Sequence, residues 1–389
     1  MRMLPFQYAV RNLTRSPSRL MLSLAGSTLV VLLVIAAAGF VRGMESSIRE
    51  SGDTRNVIIL GAGSEESVER SEIPASVPGV LAATVPGVVR RAGVDAISPE
   101  VSVMMALSVE EHGPLHQAIV RGVTPAAMVV HSGVALVSGR LPLASADEVI
   151  VGRMAAEVLR VESASLAPGA QLWIDKRPWT VVGTFAAPGM VFDAEIWTPI
   201  TDLQNAMKRE TISCVVATLD PAEAELADVD AFTKLRPDLE LSVLGEREYY
   251  GNLAAFFRPL KVVTWLTAGL IAVGGLFGGL NTMYAAFASR VRELGTLQSM
   301  GFSRLAIVLS LVQEAVIATS LGGLIACAVG VWILDGISVR FSMGAFGLVV
   351  DSAVVGAGLT AGVLLGFVGA LPPALRALRM TIPESLKAV

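Results

Sequence analysis

Residues able to do chemistry are few here, and their spacing argues against catalysis. His112 and His116 stand four apart, beside Glu110 and Glu111. On a helix that spacing would bring two imidazoles to one face, as a metal site requires. Gly113 and Pro114 lie between them and break a helix, so the stretch reads as an exposed hairpin loop with no metal. The sequence lacks G-x-S-x-G, H-E-x-x-H and the phosphate-cradling G-x-x-x-x-G-K-[ST]. No catalytic, cofactor-binding or metal-ligating residue is therefore assigned. If ATP drives this protein, another chain binds it. Cys214 and Cys327 fall in different kinds of segment and have no metal-ligand spacing, so no disulfide joins them in this reading.

Glu314 is the single charge inside an otherwise apolar run. A carboxylate at the bilayer centre costs about 2.5–3.5 kcal/mol on insertion scales, and far less near an interface. About nine residues separate it from the start of its run, a depth of roughly 13 Å at 1.5 Å rise per residue. The expected arrangement pairs it with an arginine or a helix end in the preceding connection. A substrate or proton role is the other reading.

The elements that position these residues are dominated by hydrophobic blocks. Of the 389 residues 53% are hydrophobic and 16% charged, with mean hydropathy +0.63. A soluble protein carries nearer a quarter charged residues. A helix needs about 20 apolar residues to cross the hydrocarbon core. Four runs qualify: 20–41, 262–289, 305–334 and 352–375. Ala36 to Ala38 resemble a signal-peptide cleavage site, but the run is long and follows 19 residues, so it reads as a retained anchor.

Orientation follows from basic residues near the ends of the runs. Residues 1–19, 290–304 and 376–389 together carry ten basic residues and two acids. Residues 42–261 carry 19 basic and 29 acidic residues, a net of −10. The three basic pieces belong in the cytoplasm and the acidic one outside. The net charge of the whole chain, −4, excludes a nucleic-acid partner. The expected fold class is an α-helical membrane protein with four transmembrane helices and a large mixed α/β extracytoplasmic domain between helices 1 and 2. Residues 1–19 read as an amphipathic helix on the cytoplasmic lipid surface, and 335–351 as a short external loop.

Within 42–261, β-rich runs such as Asn56 to Leu60, Val101 to Val109, Gln117 to Arg121 and Thr180 to Phe185 alternate with turn signals. Helices are expected at Pro78 to Val85, Arg153 to Leu159 and Ala222 to Leu235, the last opened by Pro221. Residues 246–261 read as a helical stalk leading into the second run. Small residues recur at four-residue spacing: Gly274 with Gly278, Gly275 with Gly279, Gly322 with Ala326 and Gly330, and Gly358 with Gly362 and Gly366. Such faces let helices approach closely in lipid, within the chain or against a second copy. In the connection 290–304, Gly295 and Gly301 are expected to break a short helix bearing Arg290, Arg292, Glu293, Leu294 and Leu297.

The stretch "SRVRELGTLQSMGFSRLAIVLSLVQEAVI" resembles the coupling-helix region of MacB/LolC/FtsX-type ABC transporter permeases, where R-x-R-E-[IL]-G-x-L-x-x-x-G ends helix two and begins helix three. The opening "FQYAVRNLTRSPSRLMLSLAG", the segments "DEVIVGRMAAEVL" and "WTVVGTFAAPGMVFDAEIW", and the closing "PALRALRMTIPESLKAV" resemble other parts of the same family. The resemblance implies a permease of the bacterial inner membrane with a MacB-like periplasmic domain and no ATPase fused in front. It implies two cytoplasmic ATPase subunits that bind ATP and Mg, a second permease copy or a homologous permease, and, in some systems, a periplasmic adaptor. On this basis Arg290, Arg292, Glu293, Gly295, Met300, Gly301 and Phe302 lie at or near the ATPase contact. ATP hydrolysis would drive movements of the external domain that export or extract a peptide, lipid, lipoprotein or amphiphilic compound. An FtsX-like role, driving an external partner such as a cell-wall hydrolase without transport, is the alternative.

Overall fold

The computed structural model describes residues 6–91, 93–341 and 344–377. Its helices are α1 (Phe6–Arg15), α2 (Pro17–Glu50), α3 (Val77–Thr84), α4 (Ala127–Val130), α5 (Ala155–Leu159), α6 (Ile200–Met207), α7 (Leu226–Leu235), α8 (Glu246–Phe256), α9 (Arg258–Ala288), α10 (Val291–Ser299), α11 (Arg304–Val329) and α12 (Ser352–Ala377). The chain divides into two units. One comprises 1–42, 259–337 and 348–389, the other 43–258 and 338–347.

The helical unit takes its form from the apolar runs. The helices over Leu20–Glu50, Arg258–Ala288, Arg304–Leu334 and Ser352–Arg376 are long and apolar enough to cross a membrane by length and composition. α1 stops at Arg15 because Pro17 disfavours helical backbone at Ser16 while suiting the first turn of α2. The face Ala9, Asn12 and Leu13 is buried, and Phe6 and Val10 are exposed. Residues 1–5 and 378–389, the latter nearly all of the expected tail, lie outside the described residues.

Small residues set the spacing of the packed helices. A side chain at Gly322 would strike Ser27, and one at Gly330 or Gly358 would strike Ile35. Gly366 faces the backbone of Val316 and the hydroxyl of Thr319, and Gly362 faces the carbonyl of Thr319. On α9 neither small-residue row is filled throughout: Gly275 meets Val30, while Gly274, Gly278 and Gly279 open onto empty space.

The α/β unit is built on β1 (Asn56–Gly61), β2 (Arg90–Arg91), β3 (Val94–Asp95), β4 (Ile97–Ser108), β5 (His116–Val123), β6 (Ala135–Gly139), β7 (Glu148–Gly152), β8 (Gln171–Ile174), β9 (Arg177–Ala186), β10 (Ile196–Pro199), β11 (Cys214–Thr218), β12 (Leu241–Gly245), β13 (Ser338–Phe341) and β14 (Gly344–Gly347). Ten of these form one sheet in the order β12-β1-β11-β4-β5-β10-β7-β9-β6, with β8 beside β4 and β9. Most pairs are antiparallel; β5–β10 and β7–β9 are parallel. The long strand β4 joins the two halves, pairing β11 through Ile97–Glu100 and β5 through Val101–Leu107. β1 is buried at every position, which suits a strand covered on both faces. In β9, Trp179, Val181 and Phe185 alternate inward with period two.

Three expectations change. The turn holding His112 does join β4 to β5, but 335–351 is more than a loop. Within it β13 and β14 form a hairpin, and Ala345 enters the α/β core. α7 begins at Leu226, not Ala222: Asp220 folds the preceding residues into a turn by accepting from the N–H of Ala222, and Glu225 and Asp228 form the capping box that starts the helix. Gly295 does not break α10; it is buried within it.

Overpacking of a close contact costs about 1–3 kcal/mol. Gly366→Leu is therefore expected to lower the thermal unfolding temperature of the detergent-solubilised chain, and Gly278→Leu to leave it unchanged.

Candidate functional site

The connection between α9 and α11 has two faces. Val291, Leu294, Gly295 and Leu297 turn inward, and Leu294 and Leu297 join a cluster with Phe287, Ile307, Leu311 and Ala374. Arg292 and Glu293 are exposed, and Met300 is 57% exposed. The helix ends in a Schellman arrangement: Phe302 N–H donates to Leu297 C=O at 3.2 Å and Gly301 N–H to Gln298 C=O at 3.0 Å. Gly301 sits at φ +89°, a region that penalises a Cβ. Phe302 packs against the cluster that holds Leu297. Ser303 then caps α11 by accepting from the Ala306 N–H. The burial of Gly295 in this seat offsets its weak helix propensity, about 1 kcal/mol against alanine.

Glu314 is partnered, as its sequence context demands. Arg290, at the N-cap of α10, places Nη1 3.1 Å from Glu314 Oε2, and Asn12 Nδ2 of α1 donates to the same oxygen at 2.8 Å. Arg290 Nε also donates to Glu293 Oε2 at 3.2 Å. One carboxylate thereby ties α1, α10 and α11 together, with Arg290 only 11% exposed. The exposed pair Arg15–Glu293, at 3.9 Å, adds little.

Sequence reasoning missed a second cluster, buried in the α/β unit. Arg121 on β5 donates through Nε and Nη2 to Glu195, at 2.7 and 2.6 Å, and through Nη1 to Glu100 on β4 at 2.8 Å. His131 Nε2 lies 2.6 Å from Glu100 and its Nδ1 3.6 Å from Glu246, the first residue of α8. Glu246 also accepts from Asn56 Nδ2 and from the Asp53 N–H, both at 2.9 Å. Trp197 Nε1 donates to Glu195, and Phe192 lies under the Arg121 guanidinium at 5.0 Å. The signal was present in the charged residues that interrupt otherwise apolar strands, "SPEVSV", "IVRGV" and "DAEIW". Which of them meet could not be read from spacing.

Burial alone would raise the Glu100 carboxyl, but the His131 ring and the Arg121 guanidinium outweigh it and hold it at about 2. Burial would lower His131, but Glu100 keeps the ring above its ordinary range. Burial raises Glu246 against the pull of His131. Among the described residues no cluster of His, Cys, Asp and Glu could hold a metal ion.

These groups set a pH profile. Glu246, whose folded value is raised, adds stability as pH falls from neutral toward 4.5, its ordinary value. Glu100, held low, adds stability that is complete above 4.5 and lost as pH falls toward about 2. His131, held high, adds stability that is complete below 6.5 and lost as pH rises through its folded value. The unfolding temperature of the full chain in micelles is expected to peak in mild acid, and Glu100→Gln to make the acid-side fall shallower. Arg121→Met, which strands two buried carboxylates, is expected to cost about 3–5 kcal/mol. Glu314→Leu alone is expected to lower the unfolding temperature more than the double change with Arg290→Met, which removes both charges together.

Residues 20–235 match the MacB-like periplasmic core domain, and residues 265–382 the FtsX-like permease C-terminal region. The uncharacterized ABC transporter permease YvrN of Bacillus subtilis is 24% identical over 216 residues, covering 56% of this chain and 48% of that protein. The macrolide export ATP-binding/permease protein MacB of Rhodopseudomonas palustris is 26% identical over 266 residues, covering 64% and 39%. The chain thus spans about half or less of the length of these relatives. The solved periplasmic region of MacB from Actinobacillus actinomycetemcomitans aligns with 51% of this chain and 92% of its own length, at TM-score 0.39 and 16% identity. With one match covering more than half of the sequence and a second covering its last three apolar helices, the chain belongs to the MacB-like, FtsX-like family of ABC transporter permeases.

Proposed function

We propose that this chain is the non-catalytic, membrane-spanning subunit of an ABC transporter in a bacterial inner membrane. Its termini lie in the cytoplasm and its α/β unit outside. Two copies of a separate ATPase, which bind ATP and Mg, engage α10. Their closure moves the external domain to export or extract a peptide, lipid, lipoprotein or amphiphilic compound. The observation that carries the reading is the two-faced α10: a short helix seated in the helical unit on one side, with Arg292, Glu293 and Met300 outward on the other. The Arg290–Glu314–Asn12 contacts support it, since a push on α10 is passed to α11 and α1 without slack. The basic character of 1–19 and 290–304 supports the orientation. The open glycines of α9 support pairing with a second permease copy along that helix.

Two measurements test this reading. Co-purification with the cognate ATPase is expected to succeed for the parent chain and to fall by roughly tenfold, a loss of about 1.4 kcal/mol, for Arg292→Glu combined with Glu293→Arg. Retained association and turnover would remove α10 from the contact. In intact cells an impermeant maleimide is expected to label Leu115→Cys and to spare Ser299→Cys. The reverse pattern would invert the topology.

A further inference from the structure

The α/β unit holds a half-open cavity of about 180 Å³ to which the coupling reading gives no role. Met44 and Ile48 from the last turns of α2, Leu253 and Phe257 at the end of α8, and Phe346 on β14 line one side. Glu66, Glu69 and the buried Ser102, Arg121 and Glu195 supply its polar groups.

The charges in this cavity are unbalanced. Arg121 is the one cation among its lining residues, and its charge already faces two carboxylates, to which each of its three nitrogens donates: Glu195 and Glu100. Glu69 is half-buried and makes no hydrogen bond or ion pair with any described residue, and its burial lifts the carboxyl above the usual carboxylate range. The Ser102 hydroxyl, on a residue 1% exposed, also has no partner among the described residues. A buried polar group left unpaired is a group that a ligand can satisfy. An apolar chamber with few polar groups is the ordinary form of a small-molecule site. Here those groups are acceptors, and aromatic faces, which attract cations, stand beside them.

We propose that this cavity binds a small amphipathic cation. Its apolar body lies against Met44, Ile48, Leu253, Phe257 and Phe346, its ammonium head faces Glu69, and the Ser102 hydroxyl serves as a further acceptor. An anion would meet Glu66, Glu69 and Glu195 there, against a single cation whose charge already faces two carboxylates. The walls come from chain just after the first apolar run, just before the second and between the third and fourth, so a bound ligand touches three of the connections that lead to those helices. The proposal rests on the α/β unit alone and does not depend on coupling to an ATPase.

The test is calorimetric titration of the full chain in lipid nanodiscs, with empty nanodiscs as the blank. The probes are 4-phenylbutylamine, 4-phenylbutanol and 4-phenylbutyrate. The amine is expected to bind saturably above the blank, the alcohol more weakly and the carboxylate not at all. Glu69→Gln is expected to weaken the amine by roughly tenfold with little change in the unfolding temperature, since Glu69 makes no hydrogen bond or ion pair with a described residue. Phe346→Ala is expected to weaken amine and alcohol alike. Equal binding of the three probes, absence of saturable amine binding, or an amine affinity unmoved by Glu69→Gln would each overturn the proposal.

Discussion

Hydrocarbon offers backbone N–H and C=O groups no partner, so a segment that enters it must close those bonds on itself. The four long apolar helices meet that requirement along their whole length. Everything else in the helical unit follows from what the side chains must then do. They gain little from leaving lipid for one another, so close contact and a few polar pairs decide the packing. Gly322, Gly330, Gly358, Gly362 and Gly366 supply the contact, and Glu314 with Arg290 and Asn12 supplies the pair.

The α/β unit solves the opposite problem. Water is available around it, yet it buries Glu100, Glu195, Glu246, Arg121 and His131 at its centre. The desolvation of so many charges is offset because nearly every acceptor and donor is matched, and the cluster joins β1, β4, β5, the turn after α4 and the start of α8. The two ionic clusters share one property. Each fastens a helix end to a larger assembly, α10 in one unit and α8 in the other.

Legibility divides along the same line. The four apolar helices, the hairpin holding His112 and the pairing of Glu314 were readable because each depends on local pattern or on one unavoidable cost. The start of α7 was misread because Pro221 suits a helix start as well as the turn that Asp220 builds. Gly295 was misread because propensity speaks for an exposed helix, and this glycine is buried. The ionic cluster of the α/β unit was invisible for a different reason. Its bonded pairs include residues 21, 74 and 190 apart, and the sheet order, including the parallel β5–β10 pair, brings them together. The hairpin at 338–347 joins the α/β core from a stretch far along the chain, where length alone suggested a simple loop.

The division of labour on α10 has an evolutionary corollary. Its seat is held by Leu294, Leu297, the Gly301 turn and Arg290, with Glu293 accepting from Arg290, whereas the exposed Arg292 and Met300 stand outside it. Change at Arg292 or Met300 therefore leaves the contacts of that seat in place. A set of such permeases can thus diverge at these two surface positions with the scaffold beneath them left as it was.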